Sequence, residues 1–499
     1  MRKACFFPAM IVGLALGPSG WAAGEPVTEV IQIDASAASR PFPHFWEQMF
    51  GSGRANITLR QSWRHDLDAT RTATGLRYVR FHDIFSDHNG VYSEGADGKP
   101  IYNWSYVDQI YDGILENNVR PFVELSFMPA ALAASQKPHP FWYKPLPSPP
   151  RSYEKWASLV ENFARHLESR YGSDEVRRWY FEVWNEPNID FWTGKPAEAT
   201  YFELYTAAAR ALKSVDRRLR IGGPATAQAA WVGDFIRKCT DNDVPLDFVS
   251  THVYGNDTAM NVFHKSEPVD RADMVGRAAR KVKDEVKASP RPELPIIWSE
   301  YNATYTTEPD ITDSAFMGPW LANNIRLCDG LTDMMAYWTF SDVFEEQGVV
   351  KTPFYGGYGL IAAGAIPKAS FHAFALLHRL GDERLSPGLA NALVTRRADG
   401  ILVIAVWNYA DPGKGGTSKT IELKISGRGT AAVTVVDDEH GSALTEWRRM
   451  GSPAFPTREQ QRSLRATAQL PAPQSVPVHD GAMRLTLAPH GLALVELKP

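Results

Sequence analysis

The chain has 499 residues, 44% of them hydrophobic, with 53 Lys and Arg against 57 Asp and Glu for a formal charge of −4. That apolar content fills a large core, and the length suggests roughly two to four domains, a prior that barrels stretch. The acidic balance leaves no basic face for nucleic acid, and no stretch past the leader has the ~18 unbroken apolar residues of a membrane span.

The first 23 residues read as an export signal. Met1-Arg2-Lys3 is basic, Phe6 to Leu16 is mostly apolar, and small residues surround Gly20-Trp21-Ala22-Ala23. This pattern predicts cleavage after Ala22 or Ala23 and a periplasmic or extracellular protein. The alternative is a buried N-terminal helix, against which Pro8 and the Gly17-Pro18-Ser19-Gly20 run both argue. Cys5 would leave with the leader, so only Cys239 and Cys328 remain. Each falls in helical text, and two separate buried thiols are favoured over one disulfide. There is no CxxC or HExxH, so neither a metal site nor a cofactor is expected.

Residues 24–41 contain one alternating segment, Val27 to Ile33, which is read as a strand joining a later β-sandwich. From 42 to 380 one theme recurs: short apolar run, loop, amphipathic helix. The predicted strands are Phe45–Phe50, Tyr78–Phe81, Pro121–Leu125, Trp179–Val183, Leu219–Gly222, Phe248–His252, Ile296–Trp298 and Met335–Phe340. Helical patterns lie between them, as in Tyr153–Tyr171, where Trp156, Leu159, Val160, Phe163 and Leu167 recur at three- and four-residue steps. Strands and helices alternating in this way predict a (β/α)8 barrel, α/β in class. An open doubly wound sheet is the runner-up, and it lacks its expected Gly-rich loop. Residues 381–499 change to short alternating strands, such as Ile401–Val406, Thr420–Leu423, Ala432–Val436 and Leu492–Leu497, which predict the accessory β-sandwich. The Pro- and Gln-rich stretch 471–477 reads as a loop within it.

Barrel chemistry gathers at the carboxyl ends of the strands. The fourth run ends Val183-Trp184-Asn185-Glu186-Pro187-Asn188, and the seventh ends Ile297-Trp298-Ser299-Glu300-Tyr301-Asn302. Each presents one glutamate among aromatics, and the barrel would turn the two to face each other. Two carboxyls suit acetal cleavage: one protonates the poor leaving oxygen while the other attacks the oxocarbenium-like carbon. One must be protonated and one ionised at the same pH. Apolar walls raise the acid, and a nearby Arg keeps the nucleophile ionised. Arg80, in the second strand, is the candidate for that Arg. A lone strand-end Glu is ordinarily an exposed or capping carboxylate; two in these contexts point to a catalytic pair.

These motifs resemble those of glycoside hydrolase family 39, the β-xylosidase and α-L-iduronidase family of the retaining barrel clan. The likeness runs through Phe45-Trp46-Glu47 with Gly51-Ser52-Gly53-Arg54-Ala55, Arg80-Phe81-His82, and Pro121-Phe122-Val123-Glu124-Leu125. It continues through both glutamate motifs to Tyr355-Gly356-Gly357-Tyr358-Gly359-Leu360 and Ile366-Pro367-Lys368. The resemblance implies that Glu186 is the acid/base and Glu300 the nucleophile. It implies Asn185 at the sugar 2-hydroxyl, with His82, His252 and Tyr254 lining the site. Tyr254 would also orient the nucleophile. Trp338 would form an aromatic platform, and Glu345 or Glu346 would grip the sugar, only one of them needing to reach inward. Two departures stand out: Asp83 where a small residue is expected, and Ala365 where Gly is usual. The loop 137–151, with six prolines, is expected to shape the entrance.

The resemblance points to an exo-acting β-D-xylosidase releasing xylose from oligosaccharides by double displacement. Arabinosides, glucosides and endo-action stay open. An α-L-iduronidase would need cations for its uronate, with Arg54 and Lys351 the only candidates. A non-catalytic carbohydrate-binding protein is the reading from another class, and the intact glutamate pair weighs against it. Oligomeric state is not legible in the text.

Overall fold

The structure, a computed structural model, describes residues 27–385, 388–425 and 429–497. The leader reading falls on residues outside these. Eight parallel strands close into a barrel. We label them β1 (Met49–Arg54), β2 (Tyr78–His82), β3 (Arg120–Leu125), β4 (Tyr180–Val183), β5 (Arg220–Thr226), β6 (Phe248–Tyr254), β7 (Ile296–Asn302) and β8 (Met334–Tyr337). Neighbours in sequence are neighbours in the sheet, and β8 pairs β1 to close it. The helix predicted from its periodicity is present as Tyr153–Tyr171, with Ser152 capping it by accepting from the Lys155 N–H at 3.2 Å.

Several boundaries differ from the expectation: β5 runs on to Thr226 and β7 through Glu300 to Asn302, beyond the predicted Gly222 and Trp298, while β8 stops at Tyr337, short of Phe340. The first strand begins at Met49, not Phe45. Phe45 and Trp46 pack instead with Phe42 in the main hydrophobic core, ring on ring at 5.4 and 5.1 Å. Their apolar character reflects that packing, which periodicity does not separate from a strand. The stretch 471–477 is not all loop, because Gln474–Val478 forms an edge strand against Gly429–Val433. Pro477 is tolerated there because an edge strand has one unpaired side.

Strand periodicity places three layers inside the barrel. At the bottom Met49, Phe122, Phe248, Ile297, Met334 and Ala336 form an apolar plug, with Tyr78 and Tyr180 against it. Two residues further along the same strands come Arg80, Glu124, Glu182, Ser250 and Ser299, all buried. Above them stand His82, His252 and Glu300. The intervening residues, such as Val79, Phe81, Val123, Phe181 and Val249, face the surrounding helices.

Two short hairpins stand apart, Tyr92–Glu94 with Pro100–Tyr102 and Ile361–Ala362 with Ile366–Pro367, and the other strands build a sandwich. Val27–Ile33 runs parallel to Lys419–Ile425, which pairs Ala482–Leu487. A seven-stranded sheet lies against these three. In its strand Leu402–Trp407 the even residues Leu402, Ile404 and Val406 pack toward the small sheet. The odd residues Val403, Ala405 and Trp407 pack into the barrel core. Burial on both faces explains its unbroken apolar run. Between its strands Gly429–Val436 and Gln474–Val478 the chain inserts two helices, Leu444–Arg449 and Arg458–Thr467, that were not anticipated. They reach back to the barrel loops: Arg448 donates to Asp310 at 2.6 Å and Arg465 to the Gly364 carbonyl at 2.7 Å.

Cys239 and Cys328 are separate buried thiols, each pushed up to about 12 by burial. Asp83 and Ala365, the two departures, both hold left-handed backbone, at φ 81° and 57°. That conformation explains why a residue without a side chain is common at such positions. No helix among the described residues is long and apolar enough to cross a membrane.

Candidate active site

A cavity of about 340 Å³ opens at the carboxyl end of the barrel. Glu186, Asn185, Glu300, His82, Tyr254, Trp338 and Glu346 all line it, while His252 is buried just behind the pair. The strands aim these groups by local irregularity. A register shift between Thr251 and His252 sets His252 level with Glu300 on β7. Beyond β4 the backbone turns through positive φ at Trp184 (72°) and Glu186 (44°), and the Glu186 N–H is pinned to the Ala225 carbonyl at 2.8 Å. Such strained turns persist where surrounding bonds over-determine them.

The two glutamates have opposite surroundings. Glu300 accepts from Arg80 Nη1 at 2.7 Å through Oε1 and from the Tyr254 hydroxyl at 2.6 Å through Oε2. Both of its oxygens therefore receive donors, one of them a cation. Among the described residues no Lys or Arg hydrogen-bonds Glu186; its neighbour at 3.0 Å is His252 Nδ1. Burial pushes the Glu186 carboxyl well above the usual carboxylate range, and the charges of Glu300 and Asp257 push it the same way. One oxygen of Glu186, one of Glu300 and His252 Nδ1 lie within 4.8 Å of one another. So a proton donor and an anion share one small space.

The other groups have fixed orientations. Arg80 Nη2 donates to Asn185 Oδ1 at 3.0 Å, which turns the Asn185 NH2 toward the cavity as a donor. His82 Nδ1 sits 2.7 Å from Glu124, leaving Nε2 to face the cavity, 3.6 Å from Glu346. Burial disfavours protonation of His82, but the Glu124 carboxylate outweighs it and the His82 pKa rises. Trp338 stacks near His82, ring centroids 4.8 Å apart, and forms one wall.

Glu345 does not belong to the cavity. Arg54 Nη2 holds it at 2.8 Å and Arg60 binds its other oxygen, so it anchors the loop that presents Glu346. Arg54 is thereby spent on Glu345 and on the rings of Trp142 and Tyr143. Glu346 is the inward member of the pair. Burial pushes it up to about 8, His82 opposing and Glu300 adding to the rise. The proline loop does reach the entrance: Phe141 lines the cavity, and the Trp142 N–H donates to the Glu346 carbonyl at 2.8 Å.

Sequence reasoning missed several members. Gln228, Asp257, Tyr305, Gln347 and Tyr358 line the cavity from loops, where periodicity carries no signal. Asp257 accepts from the Tyr254 N–H at 2.8 Å and from Gln228 at 3.3 Å, and burial raises it to about 6. Glu182 beneath the pair was also missed. Its signal was available: an acid inside the apolar run Tyr180-Phe181-Glu182-Val183, in phase with Glu124 on the next strand. Among the described residues, two clusters have the spacing of cation ligands. One is Glu186, His252 and Glu300 themselves; the other is His44, Glu47 and His378, away from the cavity, where both imidazoles hydrogen-bond Glu47.

Comparison with known proteins bears on this geometry. The family described as "Glycosyl hydrolases family 39" matches residues 29–482. A β-xylosidase of Caldicellulosiruptor saccharolyticus is 37% identical over 91% of this chain and 95% of its own length. One from Geobacillus stearothermophilus is 35% identical over 94% and 95%. The crystal structure of a monomeric β-xylosidase from Caulobacter crescentus CB15 superposes with a TM-score of 0.86 at 32% identity, covering 95% of this chain and 100% of that one. With a closed eight-stranded barrel, paired carboxyls at its mouth and these relatives along nearly its whole length, the chain belongs to glycosyl hydrolase family 39 and is a glycoside hydrolase.

Proposed function

We propose that the protein is a retaining β-D-xylosidase that removes terminal xylose from short oligosaccharides, and that it is exported. The observation that carries this reading is the contrast between Glu186 and Glu300. One is buried among carboxylates with no Lys or Arg in hydrogen-bond contact and favours its proton; the other accepts from Arg80 and Tyr254 on its two oxygens, the setting of an attacking carboxylate. Oxygens within 4.8 Å suit direct attack, whereas inversion leaves a water between carboxyls roughly 6.5–9.5 Å apart.

Glu300 attacks the anomeric carbon while Glu186 hands its proton to the departing oxygen. A covalent glycosyl-enzyme forms. Glu186, now ionised, takes a proton from water, and the hydroxide equivalent displaces Glu300. The Asn185 amide is oriented to donate to the sugar 2-hydroxyl, and Glu346 and His82 take further hydroxyls.

Three observations favour xylose. Two relatives that are 35% and 37% identical over more than nine-tenths of the chain are β-xylosidases. The cavity is at the small end of ligand pockets, as suits one terminal residue and little more. Among the described residues no Lys or Arg lines it, whereas Glu186, Asp257, Glu300 and Glu346 do. A uronate would meet repulsion, which disfavours the iduronidase reading. Export is supported by the basic-apolar-small pattern of residues 1–23.

A panel of nitrophenyl glycosides tests the substrate. The β-xyloside should be hydrolysed with the highest kcat/KM; preference for the arabinoside, glucoside or iduronide would overturn the assignment. Proton NMR of the first product anomer tests the stereochemistry, since β-xylose must precede α-xylose. Secretion of the full chain with its leader removed, checked by N-terminal sequencing, tests export.

A further inference from the structure

A run of hydrogen bonds descends from the mouth into the barrel. Glu186 Oε1 lies 3.0 Å from His252 Nδ1, and His252 Nε2 lies 3.0 Å from Ser299 Oγ. The Ser299 hydroxyl donates to Glu182 Oε1 at 2.6 Å, and Arg80 Nε donates to Glu182 Oε2 at 2.6 Å. All five side chains are buried.

Each junction has a direction. Arg80 only donates, so Glu182 Oε2 must accept. Burial and the neighbouring Glu124 charge raise the Glu182 carboxyl, against which Arg80 on Oε2 and Ser299 on Oε1 bring donors that suit the ionised form. The single proton of Ser299 therefore goes to Oε1, and Ser299 has only lone pairs left for His252. Nε2 must carry a hydrogen to meet them. Burial, aided by Arg80 and His82, keeps this imidazole neutral, so its hydrogen on Nε2 leaves Nδ1 bare. A bare Nδ1 at hydrogen-bond distance from Glu186 Oε1 only accepts, and the proton between them belongs to the carboxyl.

We propose that Ser299 and Glu182 are positioning residues that lock His252 as its Nε2–H tautomer and thereby hold the proton on Glu186. This rests on the glycosidase reading above, in which Glu186 is the acid and then the base. Before glycosyl transfer the lock keeps the acid loaded. Afterwards Glu186 is a carboxylate facing a lone pair it cannot draw a hydrogen from, which makes it a stronger base toward water. The other groups facing Glu186 are Glu300 on β7, Asp257 after β6, Arg80 on β2 and Glu346 after β8. Those facing His252 are Arg80, His82, Glu186 and Glu300. Ser299→Ala removes none of them; it takes away the acceptor that selects the tautomer, together with the donor on Glu182 Oε1.

Two measurements on the full-length enzyme test this. Selective 15N-histidine labelling, with His252 assigned by loss of its signals in His252→Asn, reports which ring nitrogen carries the hydrogen. The wild type should show Nε2–H; Ser299→Ala should show Nδ1–H or a mixture; Ser299→Thr, which keeps the hydroxyl, should restore the wild-type pattern. Nδ1–H or an imidazolium in the wild type would overturn the proposal. The second measurement is the pH profile of kcat/KM. On xylobiose, Ser299→Ala should move the basic limb down by about one pH unit, the size of one switched hydrogen bond to a charged group. On dinitrophenyl β-xyloside, which needs little protonation, the loss should be small. An unmoved basic limb in a variant whose tautomer has changed would also overturn it. Failure of the xylosidase reading would look different: a wild type inert toward every glycoside, in which the histidine spectra still decide the tautomer.

Discussion

Gly51→Ala should damage the sugar site without touching a polar group. Gly51 lies on β1 under the indole of Trp338, and a Cβ there would stand 2.2 Å from Trp338 Cε3 and 2.9 Å from Cζ3. Carbon atoms sit comfortably at about 3.5–4.0 Å, so the ring must retreat by roughly 1.3 Å or more. It has little room. His82 lies on it at 4.8 Å and Phe344 at 6.1 Å, and β1 is tied on both sides within a closed barrel. Overpacking of this kind costs about 1–3 kcal/mol of stability. Displacing a wall of the sugar site by about 1 Å should lower kcat/KM some 10²-fold, which is about 2.7 kcal/mol at the transition state. Steady-state kinetics on nitrophenyl β-xyloside, with circular dichroism as a check on folding, reads both effects. Gly53→Ala is the control. Its added carbon would meet Phe344 at 3.1 Å and Ile57 at 3.2 Å, contacts that small side-chain shifts relieve. A folded Gly51→Ala enzyme with activity no lower than that control would refute the role of close packing beneath Trp338.

Glu300→Ala should abolish turnover, and azide should yield the α-glycosyl azide; β-azide from that variant would reverse the two roles. Glu186→Ala should lower kcat/KM on xylobiose by about 10²–10⁴-fold but spare dinitrophenyl xyloside far more, a difference that parallel assays resolve. The wild-type pH profile should hold its activity through the ordinary carboxylate range. Glu186 is raised by burial and by Glu300, and its acid form is the active one, so kcat/KM falls as pH rises through that elevated pKa. A basic limb at the pKa of an exposed glutamate would contradict the burial argument. Lys368→Met should destabilise the fold by about 3–5 kcal/mol. Lys368 Nζ pairs with buried Asp313 at 2.6 Å and Asp342 at 2.7 Å, and these hold the segment carrying Tyr358 at the cavity. Adding Asp313→Asn should return part of the loss in thermal melts.

Much of this was legible because strands and helices write their periods into the text. The run Tyr78-Val79-Arg80-Phe81-His82 alternates inward and outward residues, so Arg80 and His82 point into the barrel whatever surrounds them. Strand ends after apolar runs located Glu186 and Glu300 for the same reason. Where two different environments produce the same pattern, the text was ambiguous. Phe45 and Trp46 are apolar because they pack into the core before β1, not because they lie in it. Gln474–Val478 looks like a loop because an edge strand is exposed and polar.

By itself, then, the sequence determined the barrel, the order of its strands and the two acids, since each depends on residues close together in the chain. Tertiary structure alone decided that Glu346 enters the cavity while Arg54 and Arg60 draw Glu345 away. It also decided that Asp257 and Gln228 join the site. Only folding could stack Arg80, Glu182, Ser299 and His252 beneath Glu186. A hydrogen bond depends on ångström distances between atoms that the chain keeps a hundred or more residues apart, as Ser299 and Glu182 are.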